Sequence, residues 1–337
     1  MNIKQKLEKG ETLVFEECRD FCDLIFENKV SKTELVEILN LINKEKFTSS
    51  MLAGFATSMR EISVKVEADN NVIDNCGTGG DGSSTFNIST ISSLIASCCG
   101  VKVAKHGNKS ITSKSGSADV LNELGININM PTDRISQCLS QHNFAFMFAP
   151  LHHSAMRYVA EARKEISPNK TIFNLLGPLT NPAGARRQLI GVYSEDVMVA
   201  MAEALIKLGV ERAMVIHSLD GLDEISIFDK TKILKIDNNN IQEEYFDPSD
   251  YFDITNYKLN DLKVSTSKES AQIIMNIVSD NQTGAALDIA LTNAAFVLLV
   301  GKPELTFTEA LDICKQKISD GSVKNQITKL VNFSNAG

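Results

Sequence analysis

The stretch from Val72 to Cys99 reads VIDNCGTGGDGSSTFNISTISSLIASCC, and it decides the fold. Val72–Cys76 is a short apolar run that predicts a strand. A cluster of four glycines follows it directly, and Ser89–Cys99 then predicts a helix that ends before Gly100. A strand, a glycine turn and a helix in this order are the beginning of a βα unit.

The same alternation of strands and helices continues beyond this stretch. It predicts a mostly parallel sheet covered by helices, and therefore the α/β fold class. Further strands are expected at 101–104, 144–148, 190–193 and 213–216, helices at 118–124, 195–208 and 285–300, and a hairpin over 232–246.

The first 68 residues have a different pattern. Leu35, Ile38, Leu39 and Ile42 recur at helical spacing, and Ser31 with Glu34 has the pattern of a capping box. We expect a small helical domain over 1–68, joined by the helical segment at about 158–182. The larger α/β domain is expected over 69–337.

Composition and charge narrow the function classes. The 337 residues carry a net charge of −8, which disfavours general binding to nucleic acid or to anionic membranes. The seven cysteines form no Cys-x-x-Cys pair, so neither a zinc site nor a disulfide framework is expected. The amino terminus lacks an apolar signal core, and the longest apolar stretch, around 294–300, is too short to span a bilayer. These features predict a cytoplasmic protein without a membrane or nucleic-acid partner.

The segment from Gly77 to Gly82 is the strongest local signal. Glycine allows the backbone to turn tightly and to bring N–H groups close to a ligand. Hydroxyl side chains and the beginning of the next helix add donors for an anion. A tight surface turn is the alternative, but four glycines within six residues, followed by hydroxyl and amide side chains, favour a phosphate site.

Gly77, Gly79 and Gly82 also satisfy the G-x-G-x-x-G spacing of dinucleotide sites. In that motif an acidic residue ends the next strand and binds the ribose. Here the next strand is expected to end at Lys105-His106, so the acid is missing. The Gly-Lys-Ser/Thr of the ATP-type P-loop does not occur either.

A second polar cluster follows the next predicted strand. Its two parts are the loops Lys105–Ser110 and Ser113–Asp119. Ligands of parallel α/β sheets gather beyond the carboxyl ends of the strands, so both loops are expected to face the crevice of the glycine loop. A lysine there supplies a point charge for phosphate, and an imidazole and an amide can orient a small polar substrate.

With these motifs in order, the sequence closely resembles the anthranilate phosphoribosyltransferase family. The resemblance covers most of residues 70–228 and extends more loosely to both ends. The matching blocks are 77–90, 105–125, 148–153 (FAPLHH), 171–182 (TIFNLLGPLTNP), 188–194 and 221–226 (GLDEIS).

The resemblance implies a fold related to nucleoside phosphorylases, with a small helical domain beside the α/β domain, and a homodimer. It implies anthranilate and 5-phosphoribosyl 1-diphosphate as substrates and Mg²⁺ as cofactor. The diphosphate-bearing sugar would bind at Gly77, Gly80, Asp81, Thr85, Asn87, Ile88, Ser89, Thr90, Lys105, His106, Gly107, Asn108, Lys109, Ser110, Ser113 and Ser117. Anthranilate would bind at Gly77, His106, Asn108, His152 and Arg163, and the metal at Ser89, Asp223 and Glu224.

The chemistry of these residue types agrees with the roles that the resemblance implies. Arg163 offers a planar fork for a carboxylate, although the helix pattern alone would make it a surface cation. The oxygen donors of Asp223 and Glu224 suit Mg²⁺, although most adjacent acidic pairs are merely solvated. Lys105 and His106 would act electrostatically. His142 and His217 are expected to be structural, and one of His152 and His153 to line the aromatic pocket.

The sequence departs from the family pattern in two places. Glu161-Ala162 replaces a Pro-Val type pair, and the link at 167–170 (SPNK) replaces a Gly-Ile-Arg type link. Neither change removes an expected binding residue.

Two alternatives remain open at this point. A pyrimidine nucleoside phosphorylase shares the fold, but its Lys-His-Ser-Thr-Gly-Gly type loop is absent. A non-enzymatic, nucleic-acid-binding relative of the fold is expected to lack the acidic loop and to carry a basic surface, and Asp223-Glu224 and the net charge oppose it.

Overall fold

A computed structural model describes residues 3–44, 47–109 and 115–336. Its centre is a seven-stranded sheet with the strand order β3-β2-β1-β4-β5-β6-β7. The first five strands of that order run parallel, and β6 and β7 are antiparallel additions at one edge. The strands are β1 (Ile73–Gly77), β2 (Val103–Gly107), β3 (Phe144–Phe148), β4 (Arg187–Gly191), β5 (Arg212–Ser218), β6 (Thr231–Asp237) and β7 (Asn240–Phe246). The predicted α/β class with a mostly parallel sheet is confirmed.

Helices cover the sheet, and none in the described part of the chain is long and apolar enough to cross a bilayer. They are α1 (Ile3–Glu8), α2 (Phe15–Phe26), α3 (Lys32–Lys44), α4 (Ser49–Ile62), α5 (Ile88–Cys98), α6 (Ser117–Glu123), α7 (Thr132–His142), α8 (Ala149–His152), α9 (Arg157–Ile166), α10 (Phe173–Leu176), α11 (Met198–Lys207), α12 (Ser267–Val278), α13 (Ala285–Gly301), α14 (Phe307–Ser319) and α15 (Ser322–Asn335).

Two hydrophobic cores lie on opposite faces of the sheet. Helices α2, α3 and α4 share one core with α9, α10 and α11. Helices α5, α12, α13 and α14 build the other core. The segment expected to rejoin the first helices therefore does pack against them, through α9 and α10. The domain boundary at residue 68 stays a prediction.

Strands β4 and β5 contribute to both cores, since successive side chains of a strand point to opposite faces. Leu189 of β4 belongs to the core of α5 and α13, whereas Ile190 belongs to the core of the first helices. Met214 and Val215 of β5 divide in the same way. The two cores are thus separated by a sheet that each of them needs.

The bounds of two strands, β2 and β4, differ most from the prediction. β2 begins at Val103 rather than Val101 and extends through Gly107, and β4 spans Arg187–Gly191 rather than 190–193. Lys105 and His106 therefore lie within a strand, not in the loop that was expected to begin there. They tolerate this position because Lys105 Nζ donates to Asn75 O at 2.5 Å, and the His106 N–H donates to Asp74 Oδ1 at 3.0 Å. Buried polar groups are retained where they have such partners, which offset part of the cost of desolvation.

The carboxyl ends of the parallel strands meet at one edge of the sheet. β1, β2 and β4 end at Gly77, Gly107 and Gly191. β1 pairs in parallel with both β2 and β4, and Gly77 lies opposite Gly191. Ligand sites of open α/β sheets form at this edge, where the connecting loops converge.

Candidate active site

The glycine loop begins where β1 ends. Gly79, Gly80 and Gly82 have φ angles of 65°, 83° and 75°, in the left-handed region that residues with a Cβ rarely adopt. The loop is held to β4, since the Thr78 N–H donates to Gly191 O at 2.8 Å and the Tyr193 N–H donates to Thr78 Oγ1 at 3.1 Å. The sequence therefore specifies a turn whose amides are close to the sheet edge.

The far side of the loop leads into α5. The N–H of Phe86 donates to Leu262 O at 2.8 Å, and Thr85 pairs with Lys263 in an isolated bridge. Asn87 then caps α5 by accepting from the Thr90 N–H at 3.1 Å. The amino end of this helix is thus fixed beside the glycine turn, where its dipole favours an anion.

Two of the predicted phosphate-site residues on α5 have different surroundings. The Thr90 hydroxyl is buried and has no hydrogen-bond partner among the described residues. A buried hydroxyl without a partner is costly, so it marks a place where a ligand or water atom would be stabilised. The Ile88 side chain is buried in the hydrophobic core, so only the backbone of Ile88 can contribute to a phosphate site.

Lys105 lies beneath the loops rather than on them. Only 1% of its surface is exposed, and Nζ donates to Asn75 O at 2.5 Å and to Ser89 Oγ at 3.1 Å. Burial lowers the pKa of Lys105, and the neighbouring Cys76, Asp74 and Glu224 oppose this shift. The ammonium thus places a positive charge next to the predicted metal ligand Ser89.

The acidic loop after β5 closes the site from the other side. Asp223 Oδ2 accepts from the Gly79 N–H at 2.9 Å. The Ser89 backbone lies near the Glu224 carboxyl and opposes the rise in its pKa. Burial, and the nearby Asp81 charge, raise the pKa of Asp223 to about 7. Burial and Asp223 raise the pKa of Glu224 well above its usual range. The structure therefore brings together the three residues predicted to bind a metal.

The close packing of this loop explains two glycines at strand ends. A Cβ at Gly191 would lie 1.6 Å from the Asp223 carbonyl oxygen, and one at Gly77 would lie 2.5 Å from Asp223 Oδ2. Asn293 of α13 fixes the loop from below, since its Oδ1 accepts from the Ile225 N–H at 3.0 Å and its Nδ2 donates to Ile225 O at 2.9 Å. The sequence predicted neither the close approach of Asp223 to these glycines nor the contact between Asn293 and Ile225.

The donor set fits Mg²⁺. All of its members are oxygen atoms, and the two half-buried carboxylates repel each other in a way that a divalent cation would relieve. No group of three or more His, Cys, Asp or Glu side chains able to hold a metal ion occurs in the described residues. A magnesium site of this kind takes its remaining ligands from water and substrate phosphates.

The contacts of three buried histidines differ, and they bear on whether His152 or His153 lines the expected aromatic pocket. The ring in contact with His106 is that of His153, at 5.1 Å between centroids, whereas His152 Nδ1 lies 2.8 Å from Val64 O. His153 is therefore the better candidate for the pocket that was assigned to His152. The Nε2 atoms of all three have no partner among the described residues. Burial lowers the pKa of His106 to about 3 and that of His153 to about 4, so both rings are neutral near pH 7.

The remaining predicted site residues lie at the rim. Asn108 is exposed, and its carbonyl accepts from the Ser117 hydroxyl at 3.4 Å. Lys109 Nζ lies 5.9 Å from the centroid of the Phe148 ring. Within the described ranges the half-buried Arg163 guanidinium has no hydrogen-bond or ion-pair partner, and burial lowers the pKa of Arg163. Ser110 and Ser113 lie outside the described residues.

Histidines outside the site match the structural roles expected for them. His217 Nδ1 lies 2.8 Å from Val192 O, and the His142 ring packs edge-on against Phe333.

Lys170 was not predicted, although it touches the glycine loop. Its Nζ donates to Gly80 O at 2.9 Å and lies 3.3 Å from the centroid of the Tyr193 ring. The one signal in the sequence was its position in the link at 167–170 that departs from the family pattern.

Comparisons with known proteins identify the family of the chain. A family model described as "Glycosyl transferase family, a/b domain" matches residues 69–324. The anthranilate phosphoribosyltransferase of Nitrosomonas eutropha is 39% identical, over 98% of this chain and 96% of the relative. The enzyme of the same name from Bacillus subtilis is 39% identical, over 95% of this chain and 94% of the relative.

Solved structures give the same result. The crystal structure of anthranilate phosphoribosyltransferase from Thermus thermophilus superposes with a TM-score of 0.91 at 30% identity, and the match covers 100% of both chains. The Saccharomyces cerevisiae enzyme in complex with PRPP and Mg has a TM-score of 0.90 at 24% identity, covering 99% of this chain and 97% of that one, which shows a shared fold. By sequence, fold and family model together, the chain belongs to the anthranilate phosphoribosyltransferases of the glycosyl transferase family.

Proposed function

We propose that this chain transfers the phosphoribosyl group of 5-phosphoribosyl 1-diphosphate to the amine of anthranilate. The products are N-(5-phosphoribosyl)anthranilate and pyrophosphate, in a step of tryptophan biosynthesis. The observation that carries the proposal is the hydrogen bond between the Gly79 N–H and Asp223 Oδ2, at 2.9 Å. It unites the glycine loop and the acidic loop in one site, as a diphosphate–magnesium substrate requires.

The diphosphate binds between the glycine loop and the amino end of α5. Left-handed glycines leave the loop amides close to an incoming oxygen, and the helix dipole adds a favourable potential. The Thr90 hydroxyl, buried without a partner in the described structure, offers a further donor. The Lys105 ammonium donates to Ser89 Oγ beneath the loop, and its positive charge favours binding of the diphosphate.

Asp223, Glu224 and Ser89 hold magnesium. When bound, the ion neutralises negative charge on the diphosphate and so makes pyrophosphate a better leaving group. A solved structure of the yeast enzyme contains PRPP and Mg, which supports the pairing of sugar and ion.

Anthranilate binds with its carboxylate toward Arg163 and its ring near His106 and Asn108. The guanidinium has no acid partner in the described structure, so it can form a bidentate pair with the substrate. His106 is neutral near pH 7, because burial lowers its pKa to about 3. It can therefore orient the substrate, but it cannot act as a cationic acid.

Catalysis follows from position and charge. The aryl amine attacks C1 of the ribose while the bond from C1 to the diphosphate oxygen breaks, and pyrophosphate leaves with the electron pair. The nitrogen, now bonded to C1, then loses one proton to solvent. The neutral amine is already a nucleophile, so the reaction needs no strong general base. The residues of this site align the amine with C1 and stabilise the charge that grows on the leaving group.

A fluorescence assay tests the proposal. Purified protein should consume anthranilate, which is fluorescent, only when 5-phosphoribosyl 1-diphosphate and magnesium are both present. Phosphorolysis of thymidine or uridine in place of this reaction would support the nucleoside phosphorylase alternative. Salt-dependent DNA binding without turnover would support the non-enzymatic one.

Assembly and location complete the proposal. We propose a homodimer formed through the helical part, as the family resemblance implies, and a cytoplasmic location. Sedimentation of the purified chain at several concentrations tests the dimer.

A further inference from the structure

Lys170 connects the two halves of the site. It follows Arg163 in the link between α9 and α10, and its Nζ donates to Gly80 O at 2.9 Å, across 90 residues of sequence. The ammonium also lies 3.3 Å from the centroid of the Tyr193 ring, a cation–π contact. Tyr193 is itself joined to the glycine loop, because its N–H donates to Thr78 Oγ1. Two independent contacts therefore fix the position of the ammonium.

The hydrogen bond to Gly80 O controls the direction of a backbone amide. A trans peptide is planar, so its C=O and N–H point in opposite directions. When Lys170 holds the Gly80 carbonyl, the Asp81 N–H points away from the ammonium. Gly80 has a φ of 83° and lies between Gly79, whose N–H donates to Asp223 Oδ2 at 2.9 Å, and Asp81, whose Oδ1 accepts from the Ser83 N–H at 3.3 Å. The Lys170 bond is the contact that holds the Gly80 carbonyl itself. The segments on either side are held to β4 and to residues 262–264.

The charge of Lys170 also matters at this place. The carboxylates of Asp81 and Asp223 lie close enough to attract the ammonium. A diphosphate that enters the loop carries negative charge toward the same carboxylates. A fixed cation at the loop reduces that repulsion.

We propose that Lys170 is a positioning residue for the diphosphate of 5-phosphoribosyl 1-diphosphate. It holds the turn at Gly79–Gly82 in the form that receives the ligand, and it offsets the charge of the acidic residues around it. The inference rests on the proposed function and adds a residue to its phosphate site. A purely structural role for Lys170 is the competing explanation.

The test uses three variants of the full chain. Lys170→Met keeps the apolar stem and removes the ammonium, and Lys170→Arg keeps a cation. Lys164→Met removes an exposed lysine of α9 and is the matched control. Calorimetry measures the binding of 5-phosphoribosyl 1-diphosphate in the presence of magnesium, and steady-state kinetics give KM for each substrate.

The ammonium is expected to act on one substrate. Lys170→Met should raise the Kd and KM for the diphosphate-bearing sugar by about tenfold, the size of one hydrogen bond to a charged group. The KM for anthranilate should change by less than about twofold, as should every constant of the Lys164 control. Lys170→Arg should recover most of the binding.

Three results would overturn the inference: unchanged sugar binding in Lys170→Met, equal shifts in both KM values, or an arginine variant as weak as the methionine variant. If methionine unfolds the chain in a thermal melt, Lys170→Gln supplies the neutral side chain. A wild-type chain that neither binds the sugar nor consumes anthranilate would instead refute the proposed function itself.

Discussion

A half-buried cation without a hydrogen-bond or ion-pair partner points to a ligand when other cations of the same site have such partners. The Arg163 guanidinium is half-buried and has no hydrogen-bond or ion-pair partner in the described ranges, whereas the buried Lys105 has two acceptors. Desolvating a cation without compensation costs free energy, so an unpaired guanidinium is retained where a ligand completes it. This is the physical basis for assigning the anthranilate carboxylate to Arg163.

Replacement of Arg163 by alanine tests this assignment. We expect the anthranilate KM to rise by about 10- to 100-fold, since a hydrogen-bonded charge pair contributes roughly 1.5–3 kcal/mol. The KM for the diphosphate-bearing sugar should change little. Arg157→Ala, on the exposed face of the same helix, is the control. Equal shifts in both KM values would contradict the carboxylate role.

The acidic pair allows a second test at the same scale. The double variant Asp223→Asn, Glu224→Gln keeps the side-chain shapes and removes both charges, so magnesium-assisted turnover should fall by roughly a hundredfold or more. The exposed pair Glu243 and Glu244 of β7, changed to glutamine, is the matched control. Full activity of the site variant at ordinary magnesium would remove the metal assignment.

At the scale of single residues, the sequence predicted those site residues that form an unusual local cluster. Four glycines in six residues stand out by themselves, whereas Asp223 and Glu224 were assigned to the metal only through the family resemblance. The burial of Lys105 and the contact of Lys170 do not stand out, because each depends on a carbonyl oxygen 30 or 90 residues away. No local pattern encodes such a partner.

At the scale of elements, α13 positions the acidic loop. Asn293 is fully buried and makes two hydrogen bonds to the backbone of Ile225, next to Glu224. A helix in the core thereby determines where two site carboxylates lie. Buried amides with all bonds made are rigid, and their loss leaves backbone groups unpaired.

Asn293→Ala should therefore act on both stability and magnesium. We expect the free energy of unfolding to fall by about 2–4 kcal/mol, because buried backbone groups lose their partners. The magnesium concentration for half-maximal activity should rise as the loop loosens. Thr292→Val, at the neighbouring buried position whose hydroxyl has no described partner, is the control. Urea titration and a magnesium titration measure the two effects, and an unchanged magnesium requirement would refute the positioning role.

The elements themselves were largely predictable, but their ends were not. The strand at Phe144–Phe148 and the hairpin after β5 match the expectation, since their apolar patterns are bounded by turn residues. Two consecutive polar residues, Lys105 and His106, predict a loop by their polarity. β2 nevertheless extends through them, because both donate hydrogen bonds to buried acceptors. Tertiary partners thus override local pattern at the edge of the sheet where the site forms.

Across the whole molecule, buried histidines make stability depend on pH. The folded-state pKa of His153 is about 4, below its ordinary value of 6.5. As the pH falls, the imidazole of His153 therefore binds a proton in the unfolded chain before it does so in the folded chain. The stability that the neutral, buried His153 contributes is fully present above about pH 6.5 and is lost as the pH falls toward 4. The half-buried acids Asp223 and Glu224, with raised pKa values, act in the opposite sense.

A comparison of variants separates these effects. Between pH 7.5 and 5.0, the unfolding free energy of the wild type should fall by roughly 2 kcal/mol more than that of His153→Gln, at about 1.4 kcal/mol for each pH unit below 6.5. The carboxylates contribute equally to both proteins. Urea titrations at several pH values give the difference, and parallel pH curves would show that His153 is not buried in its neutral form.

The side chains of β4 and β5 point alternately into one core and into the other, and this arrangement has a consequence for any attempt to dissect the chain. The sheet is a shared partition: a fragment that begins at residue 69 would keep it together with α9, α10 and α11, but would uncover the apolar faces of these helices on which α2, α3 and α4 pack. Such a fragment should precipitate or bind chaperones, although it contains every residue proposed to contact phosphate. Residues 69–324, which the family model matches, therefore contain the proposed phosphate site but only part of the core that the first helices complete.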